Sequence, residues 1–123
     1  MKTFKIPIFT EEYKVSVFIG TKGELIKAAS KYTTYSPKTI TRELENRRGL
    51  AYDLFPDLDP LILINGELPA YLALSTLAHE SCHAVGFIEK FLGIDDRNDE
   101  FKSHGIGTIM RTVSEFVLKK VKV

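Results

Sequence analysis

The chain has 123 residues, 44% hydrophobic and 27% charged, which fits one globular domain (1–123) with a single core. Its formal net charge is +1 and its 17 Lys/Arg form no long run, so there is no electrostatic case for nucleic acid or an anionic membrane. No stretch approaches the ~20 apolar residues of a membrane span, the opening MKTFKIPIFTEEYK lacks the apolar run of a signal peptide, and the single Cys82 excludes an internal disulfide; a cytoplasmic protein is expected.

Phe4, Ile6 and Ile8 alternate with Lys5 and Pro7, and Tyr13, Val15, Val17 and Ile19 alternate with Lys14 and Ser16. Both runs have the period of half-buried strands, and Thr10-Glu11-Glu12 between them suggests a hairpin turn. Pro7 cannot donate to a ladder and points to an edge position. Thr21-x-x-Glu24 is a capping box ahead of Leu25, Ile26, Ala28, Ala29 and Tyr32, which predicts a helix over 22–32. Residues 33–38 are loop-like, and Ile40–Arg48 fits either a helix or a strand and turn. Leu50–Phe55 reads as a strand, stopped by Pro56-Asp57 and Asp59-Pro60.

Leu61-Ile62-Leu63-Ile64 is a continuous apolar run closed by the turn signal Asn65-Gly66. It fits a strand covered on both faces, or one covered face and a hydrophobic cleft on the other. A long helix follows from Pro69 to a C-cap at Gly93, its apolar positions Leu74, Leu77, Ala78, Val85, Ile88 and Leu92 lying broadly away from two histidines. After a short acidic connector, Asp96 or Asn98 can cap a last amphipathic helix over about 99–121. Gly105 and Gly107 near its start disfavour helix by roughly 1 kcal/mol each; close approach to the preceding helix is their expected use, a kink or break the rival. The basic C-terminal KKVKV reads as a solvated helix end. Strands with one helix, then two helices, make an α+β domain.

The chemistry concentrates in the long helix, at His79-Glu80-x-x-His83. Four residues advance about 400° on a helix, so the two imidazoles share a face about 6 Å apart along the axis. Two imidazoles there can grip one metal ion while Glu80 stands beside the bound water. All three histidines of the chain lie between 79 and 104. The rival is a pair of half-buried polar histidines on a core helix with no metal.

A catalytic zinc site needs a third protein ligand and one open position. Glu100, in the first turn of the last helix, is the leading candidate, since an αα-hairpin would fold it back toward the motif. His104, one turn further on, would partner that site or steady a developing oxyanion, and is the alternative ligand; Tyr71 and Arg111 are further oxyanion candidates. Glu89 would complete the set only if the helix broke at Gly86. On a continuous helix it projects about 120° from His83 and about 9 Å up the axis, and reads as solvent-facing. A di-iron carboxylate bundle needs two Glu-x-x-His helices; only Glu80-Ser81-Cys82-His83 has that form. Cys82 reads as a buried small apolar residue.

On His79, Glu80 and His83, with Asn98-Asp99-Glu100 as the third-ligand element, the chain resembles HExxH zinc metallopeptidases of the gluzincin type. Leu77–Arg111 also looks like small single-domain HExxH proteins of bacteriophages and prophages, which would place the protein in a host cytoplasm. The resemblance implies a minimal zincin-like α+β fold: a small mixed or antiparallel sheet with one helix, then the metal helix and a C-terminal helix carrying the third ligand. It implies Zn2+ on His79, His83 and Glu100, catalytic Glu80 and His104, and hydrolysis of peptide bonds. It also implies a peptide or protein substrate paired along an edge strand, expected at Leu61–Asn65. The alternative expectation is a phage-type zinc-binding interaction protein that does not cut its partner.

Overall fold

The computed structural model describes residues 1–95, 97 and 99–119. The capping candidates Asp96 and Asn98, and the expected helix residues beyond 119, lie outside them. The described chain is an α+β domain of four strands and four helices: β1 (Lys2–Ile8), β2 (Thr10–Gly20), α1 (Lys22–Tyr32), α2 (Pro37–Leu44), β3 (Gly49–Tyr52), β4 (Leu61–Asn65), α3 (Ala70–Leu92) and α4 (Asp99–Lys119). The sheet order is β1-β2-β4-β3. β1 is antiparallel to β2, β2 parallel to β4, and β4 antiparallel to β3, so the sheet is mixed.

Local chemistry accounts for most of the elements. Thr21 and Glu24 form the reciprocal capping box, the Glu24 amide donating to Thr21 Oγ1 at 3.2 Å and the Thr21 amide to Glu24 Oε1 at 2.9 Å. Gly93 ends α3 in the left-handed conformation, φ 71°. The ambiguous Ile40–Arg48 segment resolves as helix: Ser36 caps α2 by accepting from the Thr39 amide, and Pro37 occupies its first turn. The hairpin reverses at Phe9, not at Thr10–Glu12. Phe9 takes a positive φ of 65° and the register shifts beside it, so residues 10–12 belong to β2.

Strand alternation sorts the core into two clusters, one on each face of the sheet. Ile62 and Ile64 of β4 join Ile6, Val15, Val17 and Ile19 beneath α3 and α4, where Leu77, Val85, Ile88, Ile109 and Val113 are buried. Leu61 and Leu63 face the other way, with Phe18, Leu50 and Tyr52, against Leu25 and Ala29 of α1 and Ile40 and Leu44 of α2. The domain is therefore three layers, and β4 is covered on both faces.

β4 is also flanked by strands on both sides, which corrects the expectation that Leu61–Asn65 is an edge strand. Its neighbours are β2 and β3. An apolar run signals coverage of the two faces and carries no information about the two flanks. The edges are β1, with Pro7 on it as expected, and β3. Among the described residues no helix is long and apolar enough to cross a membrane.

α3 packs on β3, β4 and α4, and α4 lies over β1. Gly105 permits the close approach of α4 to α3: a Cβ there would stand 2.8 Å from Val85 Cγ2. Val is stiff in a helix and cannot swing aside. At Gly107 the nearest atom to an added Cβ is Arg111 Nη1, 3.4 Å away and at the end of a mobile side chain. Gly105→Ala should therefore lower stability by about 1–3 kcal/mol through overpacking, whereas Gly107→Ala should be neutral or stabilising by up to about 1 kcal/mol. Denaturant unfolding of the two variants measures the contrast.

Candidate metal centre

α3 runs unbroken through the motif and past Gly86 to Leu92. Its inner face, including Leu77, Ala84, Val85 and Ile88, is buried; His79 and His83 are exposed on the outer face. The two Nε2 atoms are 3.2 Å apart, and the rings meet edge to face with centroids 4.8 Å apart. Glu80 is buried, 8% exposed, and its carboxylate completes a group whose ligand atoms all lie within 4.8 Å of one another.

The fit to a metal can be tested on that first distance. Two imidazole nitrogens on one tetrahedral zinc, each at about 2.05 Å, stand roughly 3.3 Å apart. The observed 3.2 Å matches this bite without rearrangement. It also suits an N–H···N hydrogen bond between neutral rings. The donor chemistry therefore fits zinc at the two imidazoles, with a carboxylate at hand.

The other expected site residues are placed elsewhere. Lys102 of α4 meets Glu89 at 3.4 Å and Gly105 meets Val85, so α4 runs antiparallel to α3 and its first turn lies level with the far end of α3. Glu89 is about six residues past His83, roughly 9 Å along the axis. Glu100 precedes Lys102 and lies beyond that level, exposed. Among the described residues it does not join the gathered group. His104 stacks on Phe9 at the β1–β2 turn, ring centroids 4.1 Å apart, with Phe101 on the same ring at 4.5 Å. Tyr71 stands 71% exposed at the start of α3, and Arg111 is exposed and donates to Thr108 Oγ1 at 3.4 Å. The structure gathers His79, Glu80 and His83 and leaves Glu100 and His104 apart from them.

Two readings of single residues change. Glu89 is not solvent-facing: it is 1% exposed and paired with Lys102. Its isolation from the metal pair holds nevertheless, because α3 does not break. Cys82 is exposed rather than buried.

The motif forms a ridge between two clefts. His79 and Glu80 line an open cleft of about 530 Å³ with Ser75 and Thr76 of α3 and Arg47, Arg48 and Gly49 at the entry to β3. His83 lines another, of about 620 Å³, with Gly86, Glu89 and Lys102. β3 is drawn close to α3 at Gly49, where an added Cβ would fall 2.7 Å from Thr76 Cγ2 and 2.8 Å from the Leu63 carbonyl oxygen. The arginines are neighbours of His79 and Glu80 that motif reading passes over; their sequence signal is an Arg-Arg-Gly step into a short strand. No family model, curated protein or solved structure matches the chain.

The Glu89–Lys102 pair ties the two helices together from inside the second cleft. Removing the ammonium leaves an uncompensated buried carboxylate, so Lys102→Ala should destabilise by roughly 3 kcal/mol. The exposed Glu115–Lys119 pair on α4 is the comparison; Lys119→Ala should change stability by less than about 1 kcal/mol. Parallel urea titrations give both values.

Proposed function

We propose that the protein is a zinc-dependent hydrolase of peptide bonds, with His79 and His83 as two of the metal ligands and Glu80 as general base; among the described residues the third protein ligand of a catalytic zinc is not gathered beside them. One observation carries the reading: two imidazole nitrogens at the bite of a single tetrahedral ion, with a buried carboxylate beside them on the same helix. His79 and His83 would hold the zinc, which when bound would supply Lewis acidity to the attacking water and the scissile carbonyl. Glu80 takes the proton from the attacking water and returns it to the leaving amine, so that one water is consumed for each amide bond broken. Its burial keeps that proton from bulk solvent, while its place in the 530 Å³ cleft leaves it open to a bound chain.

The edge strand beside this cleft is β3, and it takes the role first expected of Leu61–Asn65. Arg48 accepts a hydrogen bond from the Asn65 amide at 3.0 Å. Antiparallel pairing alternates, so Gly49 and Ala51 direct their N–H and C=O groups away from β4, Gly49 buried against α3 and Ala51 half-buried. An extended substrate would add there as a further strand and pass beside His79 and Glu80.

A second reading is a zinc-binding interaction protein without proteolytic activity. It is favoured by the fact that Glu80 is the third donor gathered, while Glu100 stands apart. If Glu80 is spent as a ligand, it is not free to act as a base.

Zinc content and turnover separate the two. On the hydrolase reading the purified chain holds one zinc, His79→Ala or His83→Ala loses it, and chelation lowers the melting temperature. Glu80→Gln keeps zinc affinity and loses turnover of a peptide library by about 10²-fold or more. A weakened zinc affinity in Glu80→Gln, with no cleavage by the unmodified protein, would establish the second reading instead.

A further inference from the structure

We infer that Arg47 and Arg48 form a subsite for an acidic side chain, which makes an acidic peptide the substrate class of the cleft. This rests on the peptide-hydrolase reading and deepens it. Both arginines line the same 530 Å³ cleft as His79 and Glu80. They are exposed, and among the described residues no ion pair engages either guanidinium. Among the described residues Glu80 is the one carboxylate lining that cleft, and it is buried beside the imidazoles; Glu43, held by the Tyr52 hydroxyl near Arg47, offsets part of the charge, so the wall facing solvent keeps a positive excess centred on Arg48.

The backbone that carries them is held at both ends. Asn46 takes a left-handed turn at φ 63°, the Arg47 amide donates to the Leu44 carbonyl at 3.0 Å, and the Arg48 carbonyl accepts from Asn65. Two planar forks from a fixed turn suit bidentate capture of a carboxylate, which a lysine pair would not match. They also stand at the entrance of the open β3 edge. A chain paired at Gly49 and Ala51 would carry its adjoining side chain past them on its way to Glu80. The partner is a peptide rather than a nucleic acid for the same reason: two arginines with a net charge of +1 give a local fork, not the extended basic track a phosphate backbone needs.

The test compares two fluorescein-labelled decapeptides of one sequence, carrying Asp and Glu in one and Asn and Gln in the other. Binding to zinc-loaded Glu80→Gln protein is followed by anisotropy, and cleavage by the unmodified protein is followed by mass spectrometry. The acidic peptide should bind roughly fivefold to tenfold more tightly, and the preference should weaken with salt. Arg47→Gln with Arg48→Gln should abolish the preference, while Arg42→Gln, on the exposed side of α2, should preserve it. Equal binding of the two peptides, or a preference that survives the double substitution, would overturn the inference. So would displacement of the acidic peptide by a twelve-nucleotide single strand at equal or lower concentration. Cleavage without charge preference overturns the subsite and leaves the hydrolase reading standing; an arginine-dependent preference without cleavage supports the subsite and removes the hydrolase reading.

Discussion

The contact between Val85 and the bare Cα of Gly105 sets most of what this molecule can do. It lets α4 lie against α3 at a separation a side chain would forbid, and it fixes their relative slide. The Glu89–Lys102 pair, one helical turn further along, holds the same register by charge. With that slide established, the start of α4 faces the last turns of α3, and the middle of α4 lies level with the motif. A carboxylate in the first turn of α4 is then too far along the axis to share an ion with His79 and His83. The His79–His83 pair is consequently a property of α3 alone.

The same helix is positioned against the sheet by a second close approach, at Gly49. Because β4 lies between β2 and β3, and α4 lies over β1, the sheet edge that α3 packs beside is β3. Gly49 brings that edge to Thr76, one turn before His79, and so sets the outer side of β3 beside the motif. A larger residue would meet the Leu63 carbonyl oxygen, which belongs to the sheet ladder and cannot turn away. Two glycines thus locate α3 against its neighbours, one on each flank, and the histidines occupy the ridge left between them.

How legible this was in the sequence depended on the range of the interactions. Local chemistry was readable: the Thr21–Glu24 box, the Gly93 stop, the alternation of β1 and β2, and the long helix under the HExxH pattern are all decided within a few residues. The α+β class followed from the order of those elements. What could not be read was relative placement. Leu61–Ile64 announced two covered faces and said nothing of its flanks. Glu89 looked exposed because its partner is thirteen residues away on another helix. Glu100 seemed able to fold back onto the metal pair because a hairpin was anticipated without its register. His104 was assigned to the metal site, yet its ring is taken up by Phe9, which the hairpin carries in from the other end of the chain. Phe9 itself adopts a backbone conformation that no local signal suggests.

The distribution of polarity around α3 then narrows the chemistry. Its inner face is sealed by Leu77, Val85 and Ile88, so any reaction must proceed on the outer face. There the imidazoles are exposed and Glu80 is not. A carboxylate used only for solubility would lie outward with the histidines, since burial of a charged group is unfavourable unless it is engaged. A structural metal site would be expected to enclose its ligands, whereas both imidazoles here are open to approach. On the proposed reading, exposed imidazoles, a sheltered carboxylate and a strand edge along one cleft are each of use to an incoming chain, and that agreement among parts contributed by α3, β3 and the turn before β3 favours chemistry over simple metal storage.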